Sequence, residues 1–285
     1  MSEKGIGRRT ILRGMVSMLI AGGLPMPAKS EITSTDKRML ALLPEAKKHA
    51  RPPISNFFVG AVGLGASGAL YLGANFEVPG NPLNQTVHAE QSVIANAFSK
   101  GEKGLAALAV THAPCGHCRQ FLNEITGASR LRVVIEGQEA RTLADLLPAS
   151  FGPADLGNKS GMLDSAPTKL RFASGDHDDL SRAALQAASR AYAPYSKSPS
   201  GCVIAMKSGH IYAGSYLENA AFNPSLPPLQ VALVNAVLAG EDIATIERVV
   251  VVEGKNAAIS HVAATKAVLA AIAPHARLEV KTSEA

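Results

Sequence analysis

Tryptophan is absent from this chain of 285 residues, aromatic side chains make up only 5% of it, and there are only three cysteines. So few aromatics argue against a surface that stacks on single-stranded nucleic acid. Three cysteines cannot build a disulfide framework, which is typical of a protein that folds in a reducing compartment. The longest weakly apolar run, residues 15–24, is about half of the roughly 20 residues that span a bilayer, so we expect no membrane span.

Charge is present but unevenly distributed. The formal net charge is +5, and residues 1–30 carry +4 of it, with Glu3 opposing five basic residues: Lys4, Arg8, Arg9, Arg13 and Lys29. The rest of the chain is close to neutral, so we expect no nucleic-acid partner. Hydrophobic residues make up 47% and charged residues 18%, which is typical of a globular protein of one large or two modest domains.

The basic N-terminus has two interpretations. Gly7-Arg8-Arg9-Thr10 precedes the weakly apolar run and then Pro25-Met26-Pro27-Ala28, an order similar to a twin-arginine export signal over residues 7–28. Such a signal would place the protein in the periplasm. The other interpretation is a basic extension on a cytoplasmic protein, and this is the location we predict.

Beyond this segment, β-like runs alternate with helical runs, which predicts a mixed sheet covered by helices. The predicted strands are 57–64, 69–75, 105–112 and 131–136. The predicted helices are 36–50 with a break at Pro44, 87–99, 115–126 and 143–147. Residues 148–175 are rich in Gly, Pro, Ser and Asp and are predicted to form a long connection.

The pattern then returns, which indicates an internal duplication. Five positions recur at a constant offset of 141 residues: Pro53 and Pro194, Ser55 and Ser196, Gly60 and Gly201, Gly73 and Gly214, Glu77 and Glu218. At this offset Leu229-Gln230-Val231 replaces His88-Ala89-Glu90. Near the expected cysteines lie a strand, 249–253, and Gly254-Lys255-Asn256. The second copy is therefore predicted to be a scaffold or an interface without a metal site.

The chemistry of the chain is concentrated in His88-Ala89-Glu90 and, 24 residues later, in Pro114-Cys115-Gly116-His117-Cys118. His88, Cys115 and Cys118 are predicted to bind one Zn²⁺ per subunit, leaving the fourth position for water. Glu90 is predicted to be the general acid and base rather than a ligand. Zinc-dependent nucleobase deaminases show this H-x-E and P-C-x-x-C pattern.

The local sequence suggests how these groups meet. We expect Thr86 to cap the helix that carries His88 and Glu90, and Pro114 to begin the next helix. Cys115 and Cys118 would then share one face of that helix, whereas His117 would point away from it. Two alternatives for the cysteines are a redox dithiol and a structural zinc site with His117 as the fourth ligand.

Several motifs resemble the long, two-domain, homodimeric cytidine deaminases known from enterobacteria and plants. The resemblance covers about residue 40 to the end. The residues that carry it are Ser55–Phe57, Gly73–Glu77, Thr86–Ser92, Pro114–Phe121, Phe151–Pro153, Pro194–Gly201 and Glu218–Pro224.

This resemblance implies duplicated three-layer α/β/α domains with a mixed central sheet, the second copy being catalytically degenerate. The implied division is a basic extension at 1–36, a catalytic domain at 37–150, a connection at 151–177 and the degenerate domain at 178–285. Five residues would bind substrate: Phe57 the base, Ala89 the pyrimidine edge, Asn75 and Glu77 the ribose 3′-hydroxyl, and Phe151 the partner subunit's site. The implied activity is zinc-dependent deamination of cytidine and 2′-deoxycytidine by a homodimer.

Two other classes of function stay open at this point. A polynucleotide cytosine deaminase would use the same zinc chemistry on an extruded base. The neutral body and the implied clamp on a free 3′-hydroxyl argue against it. A non-enzymatic module with a structural zinc would need a fourth protein ligand and would leave Glu90 without a role.

Overall fold

The computed structural model describes residues 31–175 and 177–284, so the predicted export signal at 7–28 lies outside the described residues. Between residue 31 and the connection, nine helices and strands follow one another, apart from short 3₁₀ turns. They are α1 Ser34–Lys48, β1 Gly60–Gly65, β2 Leu70–Ala74, α2 Ala89–Ser99, β3 Leu105–Val110, α3 Gly116–Leu122, β4 Arg132–Ile135, β5 Arg141–Thr142 and α4 Leu143–Leu146.

The remaining part repeats this plan with one strand at a different place in the order. Its elements are β6 Arg171–Phe172, α5 Asp179–Ser189, β7 Ser200–Met206, β8 Ile211–Ser215, α6 Pro228–Leu238, β9 Ile246–Gly254, α7 Val262–Ile272 and β10 Arg277–Glu284. The short strand β6 comes before the other strands of its sheet in the sequence, whereas β5 comes after the other strands of the first sheet.

Each half builds a five-stranded sheet, with strand orders β2-β1-β3-β4-β5 and β8-β7-β9-β10-β6. The pairs β3–β4 and β9–β10 are parallel, and all other pairs in the two sheets are antiparallel. Helices cover both faces of each sheet. The predicted duplicated α/β fold with mixed sheets is therefore confirmed.

Helix α1 covers the outer face of the first sheet. A capping box between Thr33 and Asp36 begins it, and its buried residues Met39 and Leu43 pack against a cluster that includes Val62. The predicted break at Pro44 is wrong, because the helix continues through this residue. Pro44 lies on the exposed side, where burial of the opposite face outweighs the loss of one backbone hydrogen bond.

The recurring glycines lie where helices cross the sheets too closely for a side chain. A Cβ atom on Gly73 would lie 2.3 Å from the Ala89 carbonyl oxygen, and one on Gly214 would lie 2.1 Å from that of Pro228. Ala89 and Pro228 are 139 residues apart, because the loop before α6 is two residues shorter than the loop before α2. The constant offset of 141 is therefore wrong beyond residue 218.

The shorter loop changes which residues of the second copy correspond to the site residues. Pro227, the N-cap of α6, takes the place of His88, and Leu229 takes the place of Glu90. His261, the N-cap of α7, takes the place of Cys115 rather than Asn256. Among the described residues of the second copy there is still no set of three metal ligands like that of the first.

The two halves share one hydrophobic core. Helices α2 and α6 pack against each other between the two sheets, and ten of the eleven residues of α2 are buried. Cys202 is a buried free thiol in this core and packs as a small apolar side chain. None of the helices in the described part of the chain is both long and apolar enough to cross a bilayer.

Candidate metal centre and substrate cavity

The beginnings of α2 and α3 bring three predicted ligands together. His88 is the N-cap of α2, Cys115 is the N-cap of α3, and Cys118 lies within the first turn of α3. His88 Nδ1 is 3.2 Å from Cys118 Sγ and 3.6 Å from Cys115 Sγ, and the two sulfurs are 3.5 Å apart. The prediction that Thr86 caps α2 is wrong, since the helix begins two residues later.

Helix α3 also differs from its predicted extent. The spacing predicts a helix over 115–126, but it ends at Leu122 and continues as turns. Cys115 has extended backbone dihedrals, so it lies before the helix instead of on its face. The two sulfurs still converge, because an N-cap side chain and one three residues later meet at the same end of a helix.

These distances are close to those around a tetrahedral zinc ion and slightly shorter. Bond lengths of about 2.3 Å to sulfur and about 2.0–2.1 Å to nitrogen place ligand atoms roughly 3.6–3.8 Å apart. Within residues 31–175 and 177–284, no other His, Cys or carboxylate atom joins this group of three. His117 lies outside the group, with its ring centre 5.5 Å from that of His88. Three protein ligands and one open position are typical of a catalytic zinc site.

The close approach of the three ligands shifts their pKa values in different directions. Hydrogen bonds with Cys118 and His88 lower the pKa of Cys115 to about 3. The contact with Cys115, followed by burial, raises the pKa of the Cys118 thiol, and the bond with Cys115 raises the pKa of His88. Two thiolates this close repel each other, and a divalent cation removes that repulsion.

Glu90 lies beside the ligands but is not one of them. It is almost fully buried in the first turn of α2, and burial raises the pKa of its carboxyl group. It lines a cavity of about 380 Å³ together with Ala89 and His88. This volume is within the usual range for small-molecule sites. A larger cavity of about 450 Å³, next to the connection, is lined by no His, Cys or acidic residue.

Asn75 and Glu77 line the cavity. Their side chains also hold residues 54–59, which contribute a neighbouring part of the cavity wall. Asn75 Oδ1 accepts a hydrogen bond from the Val59 amide, and its Nδ2 donates to the Phe57 carbonyl, both at 2.9 Å. The Glu77 carboxylate accepts hydrogen bonds from the Ile54 and Ser55 amides and from the Ser55 hydroxyl. Burial opposes ionisation of Glu77, but these bonds outweigh it and lower its pKa.

An aromatic pair also lines the cavity. The Phe57 ring is 51% exposed and lies 4.5 Å from the His112 ring, measured between centres. Sequence reasoning assigned no role to His112. Its position at the carboxyl end of a central strand, two residues after β3 ends, is the feature that could have identified it.

Phe151 is the one predicted site residue that the chain does not bring to its own cavity. Its side chain is 46% exposed. Its carbonyl oxygen accepts hydrogen bonds from Gln120 Nε2 at 2.9 Å and Asn123 Nδ2 at 3.0 Å, so the end of α3 holds its backbone. The other predicted site residues all lie at the metal group or on the cavity wall.

Comparison with known proteins agrees with this arrangement. Two models of the cytidine and deoxycytidylate deaminase zinc-binding region match residues 33–135 and 143–266. A cytidine deaminase of Vibrio cholerae is 49% identical over 245 residues, covering 86% of this chain and 82% of the relative. The chain belongs to the cytidine and deoxycytidylate deaminase family.

Other members of the family are also similar. A cytidine deaminase of Aliivibrio fischeri is 48% identical over 254 residues, covering 89% of this chain and 84% of the relative. The solved structure of the Mycobacterium tuberculosis cytidine deaminase is 34% identical and covers 41% of this chain and 96% of its own, with a TM-score of 0.38. The predicted membership of this family and the predicted zinc ion are confirmed.

Proposed function

We propose that this protein hydrolyses free cytidine and 2′-deoxycytidine to uridine and 2′-deoxyuridine and releases ammonia. The observation that carries the proposal is a zinc group of three protein ligands with buried Glu90 beside it, opening into a cavity of about 380 Å³. The similar proteins named cytidine deaminase support the same activity.

Glu90 is the group that moves protons in this proposal. When bound to His88, Cys115 and Cys118, zinc acts as a Lewis acid and lowers the pKa of a water molecule toward neutrality. Glu90 takes one proton from the attacking water molecule and transfers it to the ring nitrogen N3. As the C–N bond breaks, it takes the second proton of the same oxygen and gives it to the amino group, which leaves as ammonia. Its raised pKa suits this role, because a proton carrier works best when its pKa is close to the operating pH.

The remaining cavity residues orient the nucleoside. Phe57 packs against the base, and the backbone of Ala89 pairs with the pyrimidine edge. Asn75 and Glu77 bind the ribose 3′-hydroxyl, because Asn75 Oδ1 and Glu77 Oε1 each accept one internal hydrogen bond and retain a second lone pair. Within a nucleic-acid strand the 3′-hydroxyl is esterified and is no longer free. A site that binds this hydroxyl therefore favours free nucleosides over polynucleotides.

The proposal includes a homodimer in which Phe151 of one subunit completes the cavity of the other. Its exposed ring, held by its backbone away from its own cavity, supports this arrangement. Further large apolar side chains are exposed, as expected for an interface: Ile54, Phe57, Phe58, Leu83, Leu156 and Phe222.

The proposed catalytic domain is 37–150, the connection 151–177 and the degenerate domain 178–285. The free thiols are consistent with a cytoplasmic location.

The activity is tested by the ultraviolet absorbance of cytidine, followed with zinc-loaded and with chelator-treated protein. We expect the cytidine band to disappear only with the zinc-loaded protein, with an equal yield of ammonia. A cytosine-containing oligonucleotide is the second substrate. Deamination of the oligonucleotide but not of cytidine, with zinc bound, would contradict the proposal.

A further inference from the structure

One loop of the second copy contacts both zinc-bearing helices close to their ligands. Residues 218–226, here called the bracing loop, connect β8 to α6, and a backbone bridge between Leu217 and Leu226 closes it. The loop forms hydrogen bonds with Gln91, which follows the ligand His88 in the sequence. It also forms hydrogen bonds with Gln120 and Glu124, which follow the ligand Cys118.

The contact with α2 passes through Gln91. Its Oε1 accepts a hydrogen bond from the backbone N–H of His88, and its Nε2 donates to the carbonyl of Pro224, each at 3.1 Å. Gln91 is 1% exposed, so these bonds form away from solvent. One side chain therefore connects the bracing loop directly to the backbone of a zinc ligand.

The contact with α3 passes through Gln120 and Glu124. Asn219 Nδ2 donates to the Gln120 carbonyl at 3.0 Å, two residues beyond Cys118 in the sequence. The Ala220 amide donates to Glu124 Oε2 at 2.8 Å, and Glu124 is fully buried. The hydroxyl of Tyr192, also from the second copy, donates to Glu124 Oε1 at 2.8 Å.

We propose that the bracing loop of the second copy is a positioning element of the zinc site in the same chain. It acts on His88 through Gln91, and on the helix of Cys118 through Gln120 and Glu124. The degenerate copy thus holds the ligands at the separation that zinc requires. Groups one shell beyond metal ligands commonly change metal affinity or activity by about 10- to 100-fold when they are removed.

A zinc-release measurement on the full-length, zinc-loaded protein tests this inference. Although the inference rests on the zinc site of the proposed function, release to a colorimetric chelator requires no turnover. The first variant is Gln91→Met, which keeps the length of the side chain and removes both hydrogen bonds. The second is Asn219→Ala, which acts on α3 and serves if Gln91→Met does not fold.

Two matched controls distinguish positioning of the zinc ligands from docking of the two copies and from the general stability of the fold. Ser99→Ala removes the hydrogen bond from Asn235 Nδ2, a 2.8 Å contact between α2 and α6 at the far end of α2, about 15 Å from the ligands. Ser215→Ala removes a buried 2.7 Å hydrogen bond to Ala187 within the second copy. Thermal unfolding of every variant is recorded in parallel.

We expect Gln91→Met and Asn219→Ala to release zinc at least about tenfold faster than the unaltered protein and both controls. We also expect their kcat to fall while KM for cytidine stays within about twofold. Release as slow as in the controls would overturn the inference. Equally fast release from Ser99→Ala or Ser215→Ala would also overturn it, because the effect would then come from docking or stability alone.

Discussion

At the residue scale, the cavity is organised by side chains that orient other side chains. Asn75 and Glu77 fix the backbone of residues 54–59, and His112 lies against the ring of Phe57. Because Phe57 is half exposed, its position depends on this aromatic contact more than on burial. Aromatic pairs of this kind contribute roughly 0.5–1.5 kcal/mol beyond the area that they bury.

Replacing His112 tests this dependence. We expect His112→Ala to raise KM for cytidine about two- to tenfold, because Phe57 loses its neighbour and the base loses part of its packing surface. The change in kcat should stay within about twofold, as measured by steady-state kinetics. His112→Phe keeps a ring at this position and should leave KM near its original value. An unchanged KM in His112→Ala would remove His112 from the cavity's function.

At the element scale, the second copy shows what replaces a lost metal site. His261 begins α7 where Cys115 precedes α3, and its ring lies 4.4 Å from that of Tyr216. Glu253 faces the same residue and accepts a hydrogen bond from its backbone N–H. Burial lowers the pKa of His261 to about 4, so the imidazole is neutral in the folded protein at neutral pH.

This buried histidine predicts a pH dependence of stability. The unfolded chain binds a proton on His261 near pH 6.5, whereas the folded chain does so only near pH 4. Stability from this group is therefore complete above about pH 6.5 and is lost as the pH falls. By pH 4.5 the loss amounts to about 2.5 kcal/mol.

The variant His261→Phe isolates this contribution, because the carboxylates that also titrate are unchanged. Urea unfolding at pH 7 and at pH 4.5 should show a smaller drop in the free energy of unfolding for the variant than for the unaltered chain, by about 2 kcal/mol. Equal drops for the two proteins would mean that His261 is protonated in the folded state or exposed to solvent.

The elements that the sequence predicts well are those with a strong local pattern. Strands β1 to β4 and helices α1 to α3 lie where hydrophobic periodicity places them, because each buries a face whose residues are close in sequence. Two of the errors concern effects that lie beyond the local sequence. Pro44 is tolerated because of packing that its neighbours do not reveal, and the two-residue shortening before α6 shifts every later correspondence.

The same distinction applies to the site. The ligand spacing identifies His88, Cys115 and Cys118, since residues near the beginnings of two helices can converge on one ion. By contrast, the contacts of Gln91 with Pro224 and of Glu124 with Ala220 join residues about a hundred or more positions apart. No local pattern in a single sequence indicates such pairs.

At the scale of the whole molecule, the two copies form one folded unit with a continuous core between their sheets. This arrangement leaves Phe151 exposed on the outside, and the proposed homodimer uses it to complete the partner's cavity. The second copy and the connection therefore have different proposed roles. The second copy supports the zinc site within the chain, and the connection supplies a residue between chains.

Mixing two defective variants tests the exchange between subunits. Phe151→Ala should raise KM without unfolding the protein, and Glu90→Gln should be almost inactive. Mixed dimers contain one site with Glu90 intact and Phe151 supplied by the other subunit, so low-KM activity should return when the variants are unfolded and refolded together. Activity equal to the sum of the separate variants would mean that Phe151 does not act across the dimer.

The central claim is that Glu90 transfers protons beside a zinc ion that it does not bind. The most direct measurement is the rate of cytidine deamination by Glu90→Gln together with its zinc content. We predict one zinc per chain and a kcat that is lower by about two to four orders of magnitude, since general acid–base catalysis contributes about 10²–10⁴-fold and the amide can supply none. Turnover close to that of the unaltered protein with zinc retained would contradict it.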